Sequence, residues 1–248
     1  MSSDNKNSLA PVGKNGDSPN TGENSTLSIA WQKGLAAARQ NFYPALALWA
    51  FGIALIVSYF FLPAVHDWLD RVAQYKIQTG WIFAAISTAF FAGVVPFAIP
   101  YLFGSGVKKG LGYLMTNIFF WAYKGIEVDL FYVLQAKFFG NDASISTIVT
   151  KVVVDQLVYA PLLGLTTVVL FYLWRDNRYS GSAFKKELGS NWYRNKILPV
   201  LISNWFVWTP ACVIVYLLPL GLQLPIQNLI LCFWVLILTF FTEGNEEK

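Results

Sequence analysis

The side chains best able to do chemistry in this chain lie inside strongly apolar stretches. Lys124 and Glu127 are three residues apart, so they share a helix face and can neutralise each other, whereas Asp129 points elsewhere. Further along the chain, Asp155 is followed directly by Gln156. Charges inside a membrane are costly and often mark routes for solutes or protons. We therefore expect a polar cluster within the membrane, with Lys124, Glu127, Asp129, Tyr132, Asp155, Gln156 and Asn204 as its candidate members.

Two placements of these charges are compatible with the sequence. Lys151 precedes Asp155 by one helical turn, and its long side chain could reach the membrane surface and hold the carboxylate there. Otherwise Asp155 occupies a buried polar site. For the group around Lys124, the alternative is a helix broken near Gly125, with the charges at the interface. For the Lys124 group we favour the arrangement in which the helix is continuous and its charges face the bundle interior.

The sequence gives little support to catalysis. It shows no nucleophile with an adjacent base, no metal-ligand cluster and no cofactor loop, and we expect neither enzymatic activity nor a cofactor or metal. Glu127 and Asp155 could form a carboxylate pair for intramembrane hydrolysis, but nothing else favours it. Cys212 and Cys232 lie in apolar runs without CxxC spacing, and His66 lies in a polar loop.

The composition indicates a polytopic membrane protein. Of the 248 residues, 55% are hydrophobic and 13% charged, and the mean hydropathy is +0.46. The apolar runs are continuous instead of alternating with a period of two, which favours helices over a barrel. The net charge of +4 does not indicate nucleic-acid binding, because the basic residues are spread over loops between the runs.

We predict an all-α transmembrane bundle of about six spans with short amphipathic helices at the interface. The interfacial helices are expected at Ile29–Tyr43 and Ala64–Gln78. Proline in a helix removes a hydrogen bond, so we expect kinks at Pro96, Pro100, Pro161 and Pro210. The predicted spans are Pro44–Leu62, Trp81–Phe103, Leu111–Phe138, Thr147–Trp174, Ile197–Leu218 and Ile226–Phe241.

Four regions follow from this pattern. A disordered polar tail is predicted for residues 1–28, and an acidic tail for residues 243–248. Residues 29–63 comprise the first interfacial helix and an additional first span, and residues 64–242 form the main bundle. Residues 1–26 lack the features of a mitochondrial presequence or a secretory signal.

The basic residues predict the orientation. With six spans, both termini lie on one side, and that side carries most of the Lys and Arg residues. The positive-inside rule then places both termini on the cytoplasm-like face. The opposite side holds only Arg71, Lys76, Lys137 and Lys151, with Lys124 inside the membrane.

Asp155-Gln156 followed by Ala160-Pro161 resembles the DQxxxAP signature of the small peroxisomal membrane protein family, which includes an inner mitochondrial membrane relative. Gly125–Tyr132 stands where that family has a Gly-Pro stretch leading to Trp-Tyr. Asn204-Trp205-Phe206-Val207-Trp208 is similar to its entry to the penultimate helix, and Pro219, Trp234 and Thr239 correspond to later family positions. The chain departs from the pattern where Thr209 separates Trp208 from Pro210 and where Leu222-Gln223 replaces Tyr-Arg.

The resemblance covers about Trp81–Phe241 and implies a channel-like helical protein of organelle membranes that passes small solutes. We therefore expect a solute pore or carrier, with the lipid bilayer, a small solute and further copies of the chain as its partners. The alternative is a structural or assembly component of a membrane complex, in which the same polar residues only join helices. The sequence does not distinguish a bacterial inner membrane from an organelle membrane.

Overall fold

The computed structural model describes residues 20–103 and 110–246, and in these two ranges the chain is helical without a β-strand. The prediction of an all-α fold is confirmed. Three π-helical segments with wider turns, Ala89–Val94, Asp155–Gly164 and Tyr193–Ile197, continue directly into the neighbouring α-helices. The α-helices are α1 (Asn20–Gln40), α2 (Phe42–Phe61), α3 (Pro63–Thr79), α4 (Trp81–Thr88), α5 (Val95–Phe103), α6 (Leu111–Phe139), α7 (Ile145–Val154), α8 (Leu165–Asp176), α9 (Gly181–Leu188), α10 (Leu198–Tyr216) and α11 (Leu220–Glu246).

Within the described residues, four helical stretches are long and apolar enough to cross a membrane. They are Phe42–Phe61, Trp81–Ile99, Ile145–Asp176 and Tyr193–Tyr216. A helix needs about 20 mostly apolar residues to cross the hydrocarbon layer. Helix α6 is not among the four, and the apolar part of α11, Leu220–Leu236, is shorter. The chain therefore has the character of a helical membrane protein. Four of the six predicted spans correspond to helices whose length and composition suit a membrane crossing.

Local sequence explains several helix boundaries. Helix α3 has Pro63 in its first turn, where a backbone N–H has no partner within the helix, so its absence costs nothing. Helix α6 ends before Gly140, whose φ of 91° lies in a region that favours glycine. Ser144 caps α7, because its hydroxyl accepts a hydrogen bond from the Thr147 N–H. In the same turn, hydrogen bonds from the Ser144 hydroxyl and backbone N–H lower the pKa of the exposed Asp142 carboxyl.

The prolines at which kinks were predicted lie in different local structures. Pro161 lies inside the π-helical segment Asp155–Gly164, and Pro96 follows the segment Ala89–Val94. The wider turn is one way to accommodate the missing hydrogen bond. Pro210 lies inside an uninterrupted α10. The side chain of Pro100, in α5, is outside the described part of the chain.

The first predicted interfacial helix packs on the bundle. Ala30 and Ala38 of α1 are buried, and a Cβ at Gly34 would come within 2.6 Å of Ile202 Cβ in α10. Trp31 is exposed on the outer side of α1. The helix thus applies its small residues to α10, where backbones can approach closely, and presents its bulky ones outward.

The polar tail predicted for residues 1–28 overlaps the first described helix. Helix α1 begins at Asn20, so residues 20–28 are helical, while residues 1–19 lie outside the described part. Packing of α1 on α10 provides a stable turn from which a helix extends at low cost. At the other end, α11 extends to Glu246, so the predicted acidic tail begins inside a helix.

The second predicted interfacial helix also contacts the bundle. Leu69, Ala73 and Lys76 of α3 are buried, and a Cβ at Gly221 of α11 would lie 3.1 Å from Ala73 Cβ. Trp68 remains exposed. The sequence placed Lys76 outside the membrane, on the side opposite the termini, but the contact with the bundle buries it.

Helix α6 lies between two of the long apolar stretches and runs antiparallel to both. Along Ile145–Asp176, Asn117 accepts a hydrogen bond from Arg175, and the rings of Phe120 and Phe171 stack at 3.8 Å. On its other side, Gly125 lies against Ala84 and Thr88 of α4. These contacts place the charged centre of α6 inside the bundle.

Candidate functional site

Lys124 lies at the centre of the first group of polar contacts. Its ammonium donates to Glu127 Oε1 at 2.5 Å, to the Gly164 carbonyl at 3.2 Å and to Thr167 Oγ1 at 3.1 Å. The Tyr159 hydroxyl also donates to Glu127 Oε1, at 2.8 Å. Lys124 is only 3% exposed, so the ion pair is enclosed between α6 and the continuous helix Ile145–Asp176. Buried charges of this kind are stable only when paired and hydrogen-bonded.

Asp155 is the centre of the second group. Its Oδ2 accepts a hydrogen bond from the Tyr216 hydroxyl at 2.6 Å, and its Oδ1 accepts one from Gln156 Nε2 at 3.0 Å. The Cys212 thiol lies 3.8 Å from Oδ2. The Tyr216 hydroxyl in turn accepts from Gln135 Nε2 at 2.6 Å, which connects Asp155 to α6.

The structure places Asp155 in the bundle interior and not at its rim. Its exposed fraction is 7%, and that of Lys151 is 1%. The Lys151 ammonium lies 5.7 Å from the centre of the Tyr216 ring, within the range of a cation–π contact. The alternative in which Lys151 reaches the surface is therefore wrong, because α10 covers this part of the helix.

Gln156 and Asn204 extend the second group toward the start of α10. Gln156 Oε1 accepts from Asn204 Nδ2 at 3.5 Å, and the Gln156 backbone carbonyl accepts from Trp205 Nε1 at 2.6 Å. Gln156 Nε2 also lies 3.2 Å from the Cys212 sulfur. The adjacent polar residues Asp155 and Gln156 therefore both contact α10.

Asp129 belongs to a separate contact. It lies on another side of α6 and pairs with Lys76 of α3 at 2.6 Å, and both residues are buried. Tyr132 faces the second group, with its ring 5.5 Å from that of Tyr216 and its hydroxyl hydrogen-bonded to Gln227 of α11. Of the seven predicted site residues, all but Asp129 thus lie along the contacts among α6, residues 155–167 and α10.

A row of polar side chains follows α6 through the bundle, and we call it the α6 polar stripe: Asn117, Lys124, Glu127, Tyr132 and Gln135. At 3.6 residues per turn these positions share one side of the helix, and they extend over about 27 Å. Glu127 is half-buried and the other four are buried. Gln135 Oε1 has no hydrogen-bond partner among the described residues, which leaves an acceptor open near the end of the stripe.

The lysines and carboxylates of these contacts balance in charge, with Glu127 half-buried and the other five buried. Lys76, Lys124 and Lys151 carry three positive charges, and Glu127, Asp129 and Asp155 carry three negative ones when all are ionised. A neutral sum lowers the cost of placing the set in a medium of low dielectric constant. In the described part of the chain, no group of three or more His, Cys, Asp or Glu side chains could hold a metal ion.

Comparison with models of protein families, with curated proteins and with solved structures gives no match for this chain. The resemblance in the DQxxxAP segment therefore remains an expectation based on the residues named above.

Sequence reasoning missed several participants in these contacts. Gln135 and Gln227 are polar residues in apolar stretches, and this contrast alone could have identified them as candidates. Tyr159, Thr167 and Tyr216 carry no such signal, because aromatic and hydroxyl residues are common in membrane helices. Their roles follow only from which helices are neighbours.

Proposed function

We propose that this protein is a transporter of small polar solutes in which the α6 polar stripe and the facing residues Asp155 and Tyr159 form the pathway. The observation that carries the proposal is the course of the stripe. It is buried between long apolar helices and extends over about 27 Å, close to the thickness of the hydrocarbon layer. Polar groups at such depth typically mark a route for solutes or protons.

The proposed arrangement has six spans: α2, the stretch from α4 to α5, α6, the helix from α7 to α8, α10 and α11. Neighbouring helices support the alternation of direction that this requires. Helix α6 is antiparallel to both of its long neighbours, whereas α2 runs parallel to α10, with Trp49 Nε1 donating to the Val207 carbonyl and Gly52 against Ile214. The charged α6 crosses the membrane because its neighbours shield its charges from lipid.

We place both termini on the cytoplasm-like side of the membrane. Lys76 and Lys151 are buried in the bundle, so of the basic residues assigned to the opposite side only Arg71 and Lys137 remain exposed there. This strengthens the asymmetry on which the positive-inside rule depends. An organelle membrane agrees with the family resemblance, and a bacterial inner membrane agrees equally well with the charge distribution.

The paired state of the charges favours a carrier over a permanently open pore. Lys124 and Glu127 bond to each other, and Asp155 is enclosed by Tyr216, Gln156 and Cys212. A solute would have to exchange with these internal partners, which requires the helices to move. Tight pairing also supports the second candidate, a structural or assembly component in which the polar contacts only hold the helices together.

Solute flux through Asp155→Asn separates the two candidates. We expect wild-type protein in liposomes to accelerate osmotic swelling in glycerol, lactate or phosphate, and Asp155→Asn to reduce the flux about tenfold or more, because it removes a charge from the pathway. Asp176→Asn is the matched control, since this carboxylate lies in the same continuous helix but is 66% exposed. Its flux should equal that of the wild type.

Melting temperatures measured on the same preparations complete the test. Reduced flux with an unchanged melting temperature supports transport. The proposal fails if wild-type liposomes swell no faster than protein-free ones for every solute. A lower melting temperature of Asp155→Asn, in the absence of any wild-type flux, would instead identify the structural component.

A further inference from the structure

The segment between the helices Ile145–Asp176 and Tyr193–Tyr216 carries a cluster of exposed basic side chains. Arg178, Lys185 and Lys186 are exposed, and none of them forms a salt bridge within the described part of the chain. The acidic residues of the segment are already engaged: Asp176 bonds to Arg175 at 2.9 Å, and Glu187 bonds to Lys196. Three positive charges therefore face outward without a salt bridge to any carboxylate that the structure describes.

The start of this segment is fixed to α6. The Arg175 guanidinium lies 4.6 Å from the Tyr113 ring and 4.3 Å from the Tyr172 ring, and it donates to Asn117 Oδ1 at 3.3 Å. The Tyr179 hydroxyl donates to Thr116 Oγ1 at 3.1 Å. These contacts hold the turn at Arg178, whose φ of 53° lies in the left-handed region.

Helix α9 presents two of the three cations on one side. Ser180 caps it by accepting a hydrogen bond from the Ala183 N–H. Phe184 and Leu188 are half-buried, whereas Lys185 and Lys186 point outward. The apolar side of the helix thus faces the bundle or the membrane, and its charged side stays in the aqueous layer.

The position of the segment relative to the membrane follows from the two helices that it connects. It connects two helices that are long and apolar enough to cross a membrane, so it lies at the membrane surface. Trp174 and Tyr179, whose rings are 5.0 Å apart, mark its start, and Trp192 and Tyr193 mark its end. Such aromatic residues are typical of the headgroup layer.

We propose that Arg178, Lys185 and Lys186 form a binding surface for anionic phospholipid headgroups. The three cations lie at headgroup depth, form no salt bridge with any described residue and are held on an ordered turn and helix, so lipid phosphates are the complementary groups within reach. Juxtamembrane basic residues contribute about a fivefold gain in affinity each for anionic lipid. This surface is independent of the transport pathway, because none of its residues belongs to the α6 polar stripe.

Native mass spectrometry of the full chain in nonionic detergent tests the proposal. Dioctanoyl phosphatidylglycerol and dioctanoyl phosphatidylcholine are titrated against the wild type and against R178Q/K185Q/K186Q. We expect the wild type to prefer phosphatidylglycerol, and the triple variant to lose about 100-fold in affinity for it. The matched control R71Q/K137Q removes exposed basic residues from the opposite end and should bind like the wild type.

Two further arms make the result decisive. Inorganic phosphate at 10-fold excess over the lipid should not displace phosphatidylglycerol, since the acyl chains also contribute to binding; equal competition would identify a site for free phosphate and overturn the proposal. Absence of lipid preference in the wild type, or retention of it in a folded triple variant, would also overturn it. Because the three side chains are exposed, the melting temperature should stay unchanged and confirm that the triple variant is folded.

Discussion

Replacing Lys124 with methionine is expected to destabilise the protein by about 3–5 kcal/mol, because it leaves the Glu127 carboxylate without its counter-ion in the bundle. Methionine fills a similar volume, so the effect comes from the lost ammonium group and not from a cavity. The Gly164 carbonyl and Thr167 hydroxyl lose the same donor. Unfolding of purified protein in mixed nonionic and anionic detergent micelles measures the change in free energy.

Removal of both partners should recover much of this loss. In K124M/E127L no charge of the pair remains, and apolar replacements of buried ion pairs are often neutral or stabilising. The control is Lys137→Met in the same helix, where the lysine is exposed, so we expect a change within about 0.5 kcal/mol. A Lys124→Met variant as stable as the wild type would show that Glu127 is solvated and that the pair does not lie in the interior.

Gly125→Ala is expected to have an effect of comparable size through packing alone. The added Cβ would lie 2.2 Å from the Ala84 carbonyl oxygen and 2.7 Å from Thr88 Oγ1. A backbone carbonyl cannot rotate away, so α4 and α6 must separate, and the cost should reach or exceed the about 1–3 kcal/mol typical of overpacked cores. Separation would also disturb the hydrogen bond that Thr88 donates to Asn228.

Gly112→Ala provides the matched control. Gly112 lies in the same helix, but a Cβ there meets no atom within 4 Å. Alanine should leave stability unchanged or raise it by about 0.4–1 kcal/mol, since it restricts the unfolded chain. The melting temperatures of the two variants, measured in the same detergent, give the comparison. Equal effects of the two substitutions would contradict the close contact between α4 and α6.

The residues of the candidate site could be predicted from sequence to the extent that their partners are local. Lys124 and Glu127 are one helical turn apart, and the observed pair follows from that spacing. Asp129 was assigned to a different side of the helix, but its partner Lys76 comes from α3, a helix that the sequence placed at the interface. Only the packing of α3 on the bundle determines this pair.

Lys151 shows why local spacing fails elsewhere. One turn from Asp155, it suggested an ion pair at the membrane surface. Instead, the Tyr216 hydroxyl and Gln156 Nε2 donate to Asp155, and Lys151 lies over the Tyr216 ring. A distant aromatic residue on α10 thus takes the place of the nearby lysine. Pro161 indicated an irregular helix, but a proline alone does not distinguish a kink from the π-helical turns that are present.

Crosslinking across the α6 interface tests the central claim that this charged helix crosses the membrane against Ile145–Asp176. On a C212S/C232S background, Phe120→Cys and Phe171→Cys are combined and treated in native membranes with a short bifunctional thiol reagent. We expect an intramolecular crosslink, because the two rings stack at 3.8 Å, and none for Phe119→Cys with Phe171→Cys, because Phe119 is 73% exposed on the outer side. Failure of the Phe120 pair, with Phe120→Cys labelled by a membrane-impermeant maleimide, would place α6 outside the bundle and contradict a shared polar interior.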